Sequence, residues 1–493
     1  MSMSATPNAA GESSSADGGS VVGEPVGSAP LMVSVSGCRG IVGESLTPVT
    51  IARYAGAIAE HLRRKAGDGP APVVLAVDGR ASGAMVGDVV SGALQAAGCR
   101  VIDLGVATTP TAGVMVGHHH AAGAVVVTAS HNPQQWNGLK AISAGACAPP
   151  RDDAEEIGRL FREGGTRWAS HEAMGSVEAD DTAAHVHVAR VLDAVERIAP
   201  LDAIRGQSFR VVVDSVNGSG SRGARLLLEA LGCQPTFIHD SSSGVFPHAP
   251  EPLAENLGEL AAQTAAQGAA VGFAQDPDAD RLALVDSRGR YIGEEYTLAL
   301  SAMSYLDALP AARRDGVKLA TNLSTSRMIE DVAEQYGATV RRTAVGEANL
   351  VEWMAPNGSP LGGEGNGGVI WPEVVPIRDS LSAMALVLAL MARTGATLAD
   401  LVDDLPRYAI VKRKVDFDGG MLDRLEPALT SAFAGSAVDT TDGVRLDLTG
   451  AGGGKAWLHV RASNTEPIVR LIAEAPSAER AESLLDEAAA ALT

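Results

Sequence analysis

Aromatic residues are scarce in this chain: seven Phe, six Tyr and five Trp make up only 4% of it. The core must therefore be largely aliphatic. Cysteine is scarcer still, and Cys38, Cys99, Cys147 and Cys233 lie far apart with no CxxC spacing. That excludes a disulfide framework and a zinc cage, and it fits a reducing compartment. Basic residues are outnumbered, 39 Lys and Arg against 59 Asp and Glu, for a net charge of −20. Nucleic acid is thereby excluded as a general partner, and an anionic substrate requires a local cluster of Arg and Lys. No apolar run approaches the roughly 20 residues of a membrane span. The Ser-, Gly-, Ala- and Pro-rich start lacks the basic residues and continuous apolar segment of a signal peptide. Residues 1–30 are thus expected to be a disordered tail on a cytoplasmic protein.

What is present suits a multidomain globular protein. At 493 residues the chain calls for roughly three or four domains. Its 46% hydrophobic and 20% charged content is ordinary, and its 55 glycines imply many tight turns. Apolar runs alternate with helical patterns, as in α/β layers. A first unit, 31–180, is expected to hold strands at Val73–Val77, Val101–Leu104 and Ala124–Val127 and a helix at Gly83–Ala97, followed by a polar stretch from Arg151 to Asp181. A second, 181–287, has strands at Arg210–Val213, Pro235–His239 and Ala270–Ala274 around a helix at Ser221–Leu231. A third, 288–404, has strands at Lys318–Leu323 and Thr339–Thr343 and helices at Ser326–Tyr336 and from Ser380. The remainder, 405–493, reads as a different, smaller α+β unit.

Four segments carry chemistry. Ser130, in Thr-Ala-Ser-His-Asn-Pro, directly follows a strand, where ligands bind in open α/β sheets. His131 and Lys140 are placed to hold the charge that the serine would carry as a phosphate. The same residues also make an ordinary turn. Asp276, Asp278 and Asp280, again after a strand, place three carboxylates at alternate positions, which suits one hard cation better than a solvated turn. Arg281 in the sixth position rules out an EF-hand. The run Gly362–Gly368 reads as a loop whose Glu364 and Asn366 can bond sugar hydroxyls, or simply as flexible glycine. Arg461, Ser463, Asn464, Thr465 and Arg470 assemble a phosphate cradle or, alternatively, a strand-connecting turn. Together the four supply a phosphorylatable hydroxyl, a divalent metal site, a hydroxyl reader and a phosphate clamp.

With these motifs in this order the chain resembles the α-D-phosphohexomutase superfamily of phosphoglucomutase, phosphomannomutase and phosphoglucosamine mutase, from about residue 31 to its end. The resemblance implies three related α/β domains with mixed sheets and a C-terminal α+β domain around a central cleft. It implies Ser130 as phosphoserine, with Mg2+ held by its phosphate and by Asp276, Asp278 and Asp280. Glu364 and Asn366 then bind the sugar, while Arg461, Ser463, Asn464, Thr465 and Arg470 bind the substrate's other phosphate. Ser36-Gly37-Cys38-Arg39-Gly40 matches the family's opening segment and puts Arg39 near the serine, with Lys140 and Arg281. The implied activity is an isomerase that interconverts hexose 6- and 1-phosphates through a 1,6-bisphosphate, with phosphoglucosamine mutase favoured over phosphomannomutase/phosphoglucomutase. Two departures stand out: Gly368 replaces a His that many members carry, which leaves Lys140 or His131 as the candidate general base, and the segment Thr343–Glu347 lacks a lysine that some members have nearby.

Other readings compete with this one. A metal-dependent phosphatase would share the serine and aspartates, whereas a non-catalytic sugar-phosphate sensor would not need both. Gly218-Ser219-Gly220-Ser221-Arg222-Gly223 imitates a dinucleotide fingerprint, but four residues separate it from its strand. His118-His119-His120 reads as an exposed loop.

Overall fold

The computed structural model describes residues 30–492 apart from 68–70, 242, 417–420, 449–453 and 463–467. The expected N-terminal tail lies outside these residues. Among the described residues there are four sheets, one per unit. The first runs in the order Met32–Ser34, Gly37–Ile41, Trp136–Ser143, Gly123–Val127, Pro72–Val77, Arg100–Val106, Val177–Ala179. Strand Gly123–Val127 pairs parallel to Pro72–Val77 and antiparallel to Trp136–Ser143. It is buried along its whole length, which explains its unbroken apolar sequence.

The second sheet runs Leu282–Asp286, Val271–Gln275, Arg210–Asp214, Gln234–Ile238, and the third Thr339–Thr343, Lys318–Asn322, Gly362–Glu364, Gly368–Trp371, Val375–Arg378. Both mix parallel and antiparallel pairs. The fourth, Ala409–Asp416, Ile468–Ala475, Trp457–Ala462, Val444–Asp447, Ala437–Asp439, is antiparallel throughout. Helices Met421–Ala432 and Ala478–Leu492 close its core through Leu425, Leu429, Leu484 and Leu485. The architecture is three α/β units and one α+β unit.

One apolar core runs through the first three units, joining Val74, Ile102 and Met115 to Val213, Phe273, Leu319 and Leu386. Its centre is helix Ser380–Thr394, apolar on every face and therefore buried. Asp379 caps that helix by accepting from Leu381 N and Ser382 N, both at 3.0 Å. His187 then lies between Asp379 and Thr111, at 3.2 and 2.9 Å, so a polar chain also links the three units. No described helix is long and apolar enough to cross a membrane.

Three local expectations change. The polar stretch after Arg151 contains helix Arg151–Glu163 and edge strand Val177–Ala179. The helix buries Ala154, Ile157, Gly158 and Leu160 on one face and carries its charges on the others, the pattern of an amphipathic surface helix. The glycine run is a hairpin, strands Gly362–Glu364 and Gly368–Trp371, because a side chain at Gly363 would meet Gly368 O at 2.2 Å. The histidine triplet terminates helix Thr109–His118, and His119 Nε2 bonds Asp180 Oδ2 at 2.7 Å.

The fourth unit meets the third through His459, whose Nε2 donates to Asp442 O at 2.6 Å while its Nδ1 faces Ser324 Oγ at 2.8 Å. Burial lowers its pKa to about 4. The unfolded chain takes up a proton here near pH ~6.5, the folded one only near 4. Stability is thus intact above ~6.5 and should fall by on the order of 3 kcal/mol as pH drops towards 4. Urea unfolding midpoints at pH 7 and 5 should converge in His459→Gln relative to the parent.

Candidate active site

Strand Gly123–Val127 delivers Ser130 in a left-handed conformation, φ +50°, which is uncommon for a residue with a Cβ. The loop around it enforces that geometry. Thr128 Oγ1 accepts from Ser130 N at 2.8 Å and donates to Asp78 Oδ2 at 2.7 Å. Arg80, paired to Asp78, donates to the carbonyls of Ser130, Asn132, Pro133 and Trp136. A backbone fixed this firmly holds one side-chain position. From it Ser130 Oγ donates to Asp276 Oδ2 at 3.1 Å, across the boundary between the first two units.

Asp276, Asp278 and Asp280 follow strand Val271–Gln275, and all three are fully buried. The glycine run at 218–223 supports this loop. A side chain at Gly218 would stand 2.6 Å from Pro277 O, and Ser219 donates to that carbonyl from both N and Oγ. The glycines thus allow two backbones to touch, which is a different use from a dinucleotide turn.

One carboxylate oxygen from each aspartate lies within 4.8 Å of the others. Asp278 Oδ2 accepts from Thr109 Oγ1 at 2.6 Å and Lys140 Nζ at 2.9 Å. Asp280 Oδ2 accepts from Lys140 at 3.3 Å and Arg378 at 2.6 Å. The remaining oxygens, Asp278 Oδ1 and Asp280 Oδ1, are buried with no hydrogen-bond partner among the described residues. Burial first, then Asp280 and Asp278, push the Asp276 carboxyl well above its usual range. Burial acts the same way on Asp278, but Lys140 and Thr109 outweigh it and hold that group below the ordinary value. Three converging acids, two unused oxygens and one carboxyl driven towards protonation fit a metal ion of the hard, oxygen-seeking kind.

Around this centre the other expected residues take their places. Arg39 donates to Asn132 Oδ1 at 3.1 Å, which puts it beside the serine loop. His131 Nδ1 lies 3.4 Å from Ser130 Oγ, and burial, Arg281 and Arg39 lower its pKa to about 2. Its ring is therefore uncharged at neutral pH. Burial opposes the Lys140 charge, yet Asp278 and Asp280 raise its pKa above the usual lysine range. Arg281 pairs with Glu251 at 3.4 Å. Glu364 accepts from Asn322 Nδ2 at 2.9 Å, with Asn366 Nδ2 3.5 Å from it.

Arg378 was not legible beforehand. Its guanidinium reaches Asp280 at 2.6 Å, Glu364 at 2.7 Å and Glu347 at 2.8 Å, joining the aspartate loop to the hairpin. It also accounts for Gly368: a Cβ there would lie 2.2 Å from Arg378 Cδ. The arginine occupies the space of the missing side chain, so the gap at Gly368 was the one available signal. Thr109 and Arg80 were likewise missed, since a lone threonine or arginine carries no pattern.

A cleft of about 510 Å³ opens between the third and fourth units, lined by Glu364, Asn366, Ser324, Lys412, Arg461 and Arg470. Arg461 and Arg470 face each other on paired strands, and Arg461 Nε contacts Asp442 at 3.1 Å. Ser463, Asn464 and Thr465 lie outside the described residues. Five cationic residues line the cleft with the hairpin's Glu364 and Asn366, namely Lys412, Arg413, Lys414, Arg461 and Arg470, and Glu251 on its wall leads back to Arg281.

Comparison with known proteins agrees in every unit. The chain matches the phosphoglucomutase/phosphomannomutase family over all four of its parts: alpha/beta/alpha domain I at residues 31–167, domain II at 189–289, domain III at 294–408 and the C-terminal domain at 411–491. A Thermococcus kodakarensis protein named phosphoglucomutase/phosphomannomutase is 34% identical over 91% of this chain and 96% of its own length. A Methanopyrus kandleri protein named probable phosphoglucosamine mutase is 34% identical over 92% of this chain and 95% of its own. A crystal structure of a family protein from Burkholderia thailandensis superposes with a TM-score of 0.76 at 27% identity, covering 94% of this chain and 98% of that one. Full-length matches at this identity, on a shared four-part architecture, show that the chain belongs to the phosphoglucomutase/phosphomannomutase family of isomerase-class phosphomutases.

Proposed function

We propose that the chain interconverts a hexose 6-phosphate and its 1-phosphate through a phosphoserine at Ser130, with glucosamine phosphate as its sugar. The observation that carries this reading is the 3.1 Å contact between Ser130 Oγ and Asp276 of the buried aspartate trio. In the first step the substrate's free hydroxyl attacks the Ser130 phosphate, the P–Oγ bond breaks, the hydroxyl's proton ends on Ser130 Oγ, and a 1,6-bisphosphate results. That intermediate turns over, and Ser130 Oγ takes up its other phosphate. Asp276, Asp278 and Asp280 would hold Mg2+, which when bound supplies charge neutralisation for the transferring phosphoryl group. Arg39, Lys140 and Arg281 add positive charge around the serine, and uncharged His131 offers it a neutral hydrogen-bonding ring. Glu364 and Asn366 orient the sugar hydroxyls.

Arg461, Arg470, Ser463, Asn464 and Thr465 grip the phosphate that does not react. Binding energy from that remote group positions the reacting end. Arg461→Ala should therefore lower kcat/KM about 100-fold, or ~2.7 kcal/mol. Intact mass should still show phosphate on Ser130, and an unchanged kcat/KM would place the grip elsewhere.

The sugar assignment rests on the Gly-Glu-Gly-Asn-Gly-Gly sequence at 363–368 and on the name of the Methanopyrus relative. The equally similar Thermococcus relative supports glucose or mannose phosphate as the second reading. A coupled assay under identical conditions should give the highest kcat/KM with glucosamine 6-phosphate. A reverse order of about tenfold, ~1.4 kcal/mol, would reassign the sugar and leave the serine chemistry in place. Four free thiols support a reducing, cytoplasmic location, and the net charge of −20 disfavours nucleic acid as a partner, whereas the local cluster of Lys412, Arg461 and Arg470 suits a small anionic substrate.

A further inference from the structure

We propose that Asp214, His239 and His248 form a second cation site, separate from the aspartate trio, that takes a divalent ion of the zinc, cobalt and nickel class. Asp214 ends strand Arg210–Asp214, and His239 follows the adjacent parallel strand Gln234–Ile238. His248 arrives on the segment that leaves His239. One nitrogen from each ring and one Asp214 oxygen lie within 4.8 Å of one another.

Hydrogen-bond accounting shows what the three atoms lack. Val216 N donates to Asp214 Oδ1 at 2.9 Å, leaving Oδ2 to the histidines. His248 Nε2 stands 3.0 Å from Oδ2 and His239 Nδ1 stands 3.2 Å from the same atom. A neutral imidazole has a single N–H. In His248 the Ala249 carbonyl, an acceptor 2.8 Å from Nδ1, claims it. Nε2 then faces the Asp214 carboxylate, a contact that either a proton or a metal ion in its place can bridge. In His239 the outer nitrogen, Nε2, faces Glu259 Oε2 at 3.4 Å. The arrangement is shared with metal-bound histidine: the outer nitrogen of each ring faces a carbonyl or carboxylate, and the inner nitrogens converge on one carboxylate oxygen.

The spacing agrees. Bonds of about 2.0–2.1 Å at tetrahedral angles put ligand atoms ~3.3 Å apart, close to the two distances observed. Two imidazoles and one carboxylate favour a borderline transition ion over magnesium, whose preference is for oxygen alone. Asp214 is buried, but the rings retain 18% and 19% exposure, which gives an ion a route in and room for water as fourth ligand.

Such an ion would tie His239 to His248, and between them Gly244 and Phe246 lie against the loop that aims Ser130. Gly244 O accepts from Gln134 Nε2 at 2.8 Å, and Phe246 N donates to Gln134 Oε1 at 3.1 Å. The Phe246 ring sits under the Arg80 guanidinium at 4.9 Å.

The test is to strip the full chain with chelator, saturate it with Mg2+ so that the aspartate trio is occupied, and titrate Co2+. Wild type and Asp278→Asn should each bind one cobalt with the visible bands of a four-coordinate, imidazole-bound ion. His239→Ala and His248→Ala should lose the bands. Glu259→Gln, an exposed change that spares the ligands, should keep them with about 10–100-fold weaker affinity. Zn2+ should raise the thermal midpoint of wild type. Absence of stoichiometric, banded cobalt in wild type overturns the proposal and leaves a proton between the rings. Bands that survive both histidine replacements overturn it as well. If either alanine variant fails to fold, the wild-type and Glu259→Gln titrations still decide.

Discussion

Ser130→Ala is expected to lower mutase turnover by at least about a thousandfold, ~4 kcal/mol of transition-state stabilisation. The substitution removes one atom, the Oγ that contacts Asp276. The backbone that holds the residue at φ +50° is fixed by Thr128, Asp78 and Arg80, and none of these bonds uses the serine hydroxyl. The fold and the metal centre should therefore persist, and the loss belongs to the phosphate carrier alone. Intact mass of protein purified under mild conditions should show a partly populated phosphate adduct in the parent and none in the variant. Near-parental turnover without the hydroxyl would refute the phosphoserine mechanism.

Asp278→Asn should cost about 3–5 kcal/mol of transition-state stabilisation, a rate loss of roughly 10²- to 10⁴-fold. Asparagine keeps the shape and can still accept from Thr109, but it removes one of the three charges that converge on the metal position. In the parent, EDTA should abolish turnover and Mg2+ restore it. Stability should change far less than turnover. One like charge leaves the fully buried cluster, which relieves Asp276, but Lys140 loses its 2.9 Å partner, so the metal-free thermal midpoint should hold or fall modestly. Turnover within about tenfold of the parent, or turnover that EDTA leaves unchanged, would remove Asp278 from the metal set.

The sequence carried what is local and missed what is distant. Ser130 and the aspartate trio stand out because each directly follows an apolar strand, and a strand end plus a reactive motif fits in a window of about ten residues. Arg378 meets Asp280 across 98 positions and Thr109 meets Asp278 across 169, so no window contains either pair. Helix Arg151–Glu163 is polar in composition, yet Ala154, Ile157, Gly158 and Leu160 recur between its charges at helical spacing, so composition concealed what periodicity carried. Hairpin Gly362–Trp371 was hidden because glycine suits a loop and a crowded strand equally, and only the neighbouring backbone distinguishes them. The Asp214 cluster shows the same limit, since two unremarkable histidines acquire meaning only once two strand ends and a returning segment meet.

The mutual exclusion of a side chain at 368 and the guanidinium of Arg378 bears on how such enzymes diverge. A histidine introduced at 368 alone would collide with the arginine stem, and loss of the arginine alone would leave Asp280, Glu347 and Glu364 facing one another without their shared counter-charge. Neither single step is neutral, so a lineage with the glycine–arginine pair and one with the histidine are separated by a fitness valley. They are expected to exchange the two positions together or not at all.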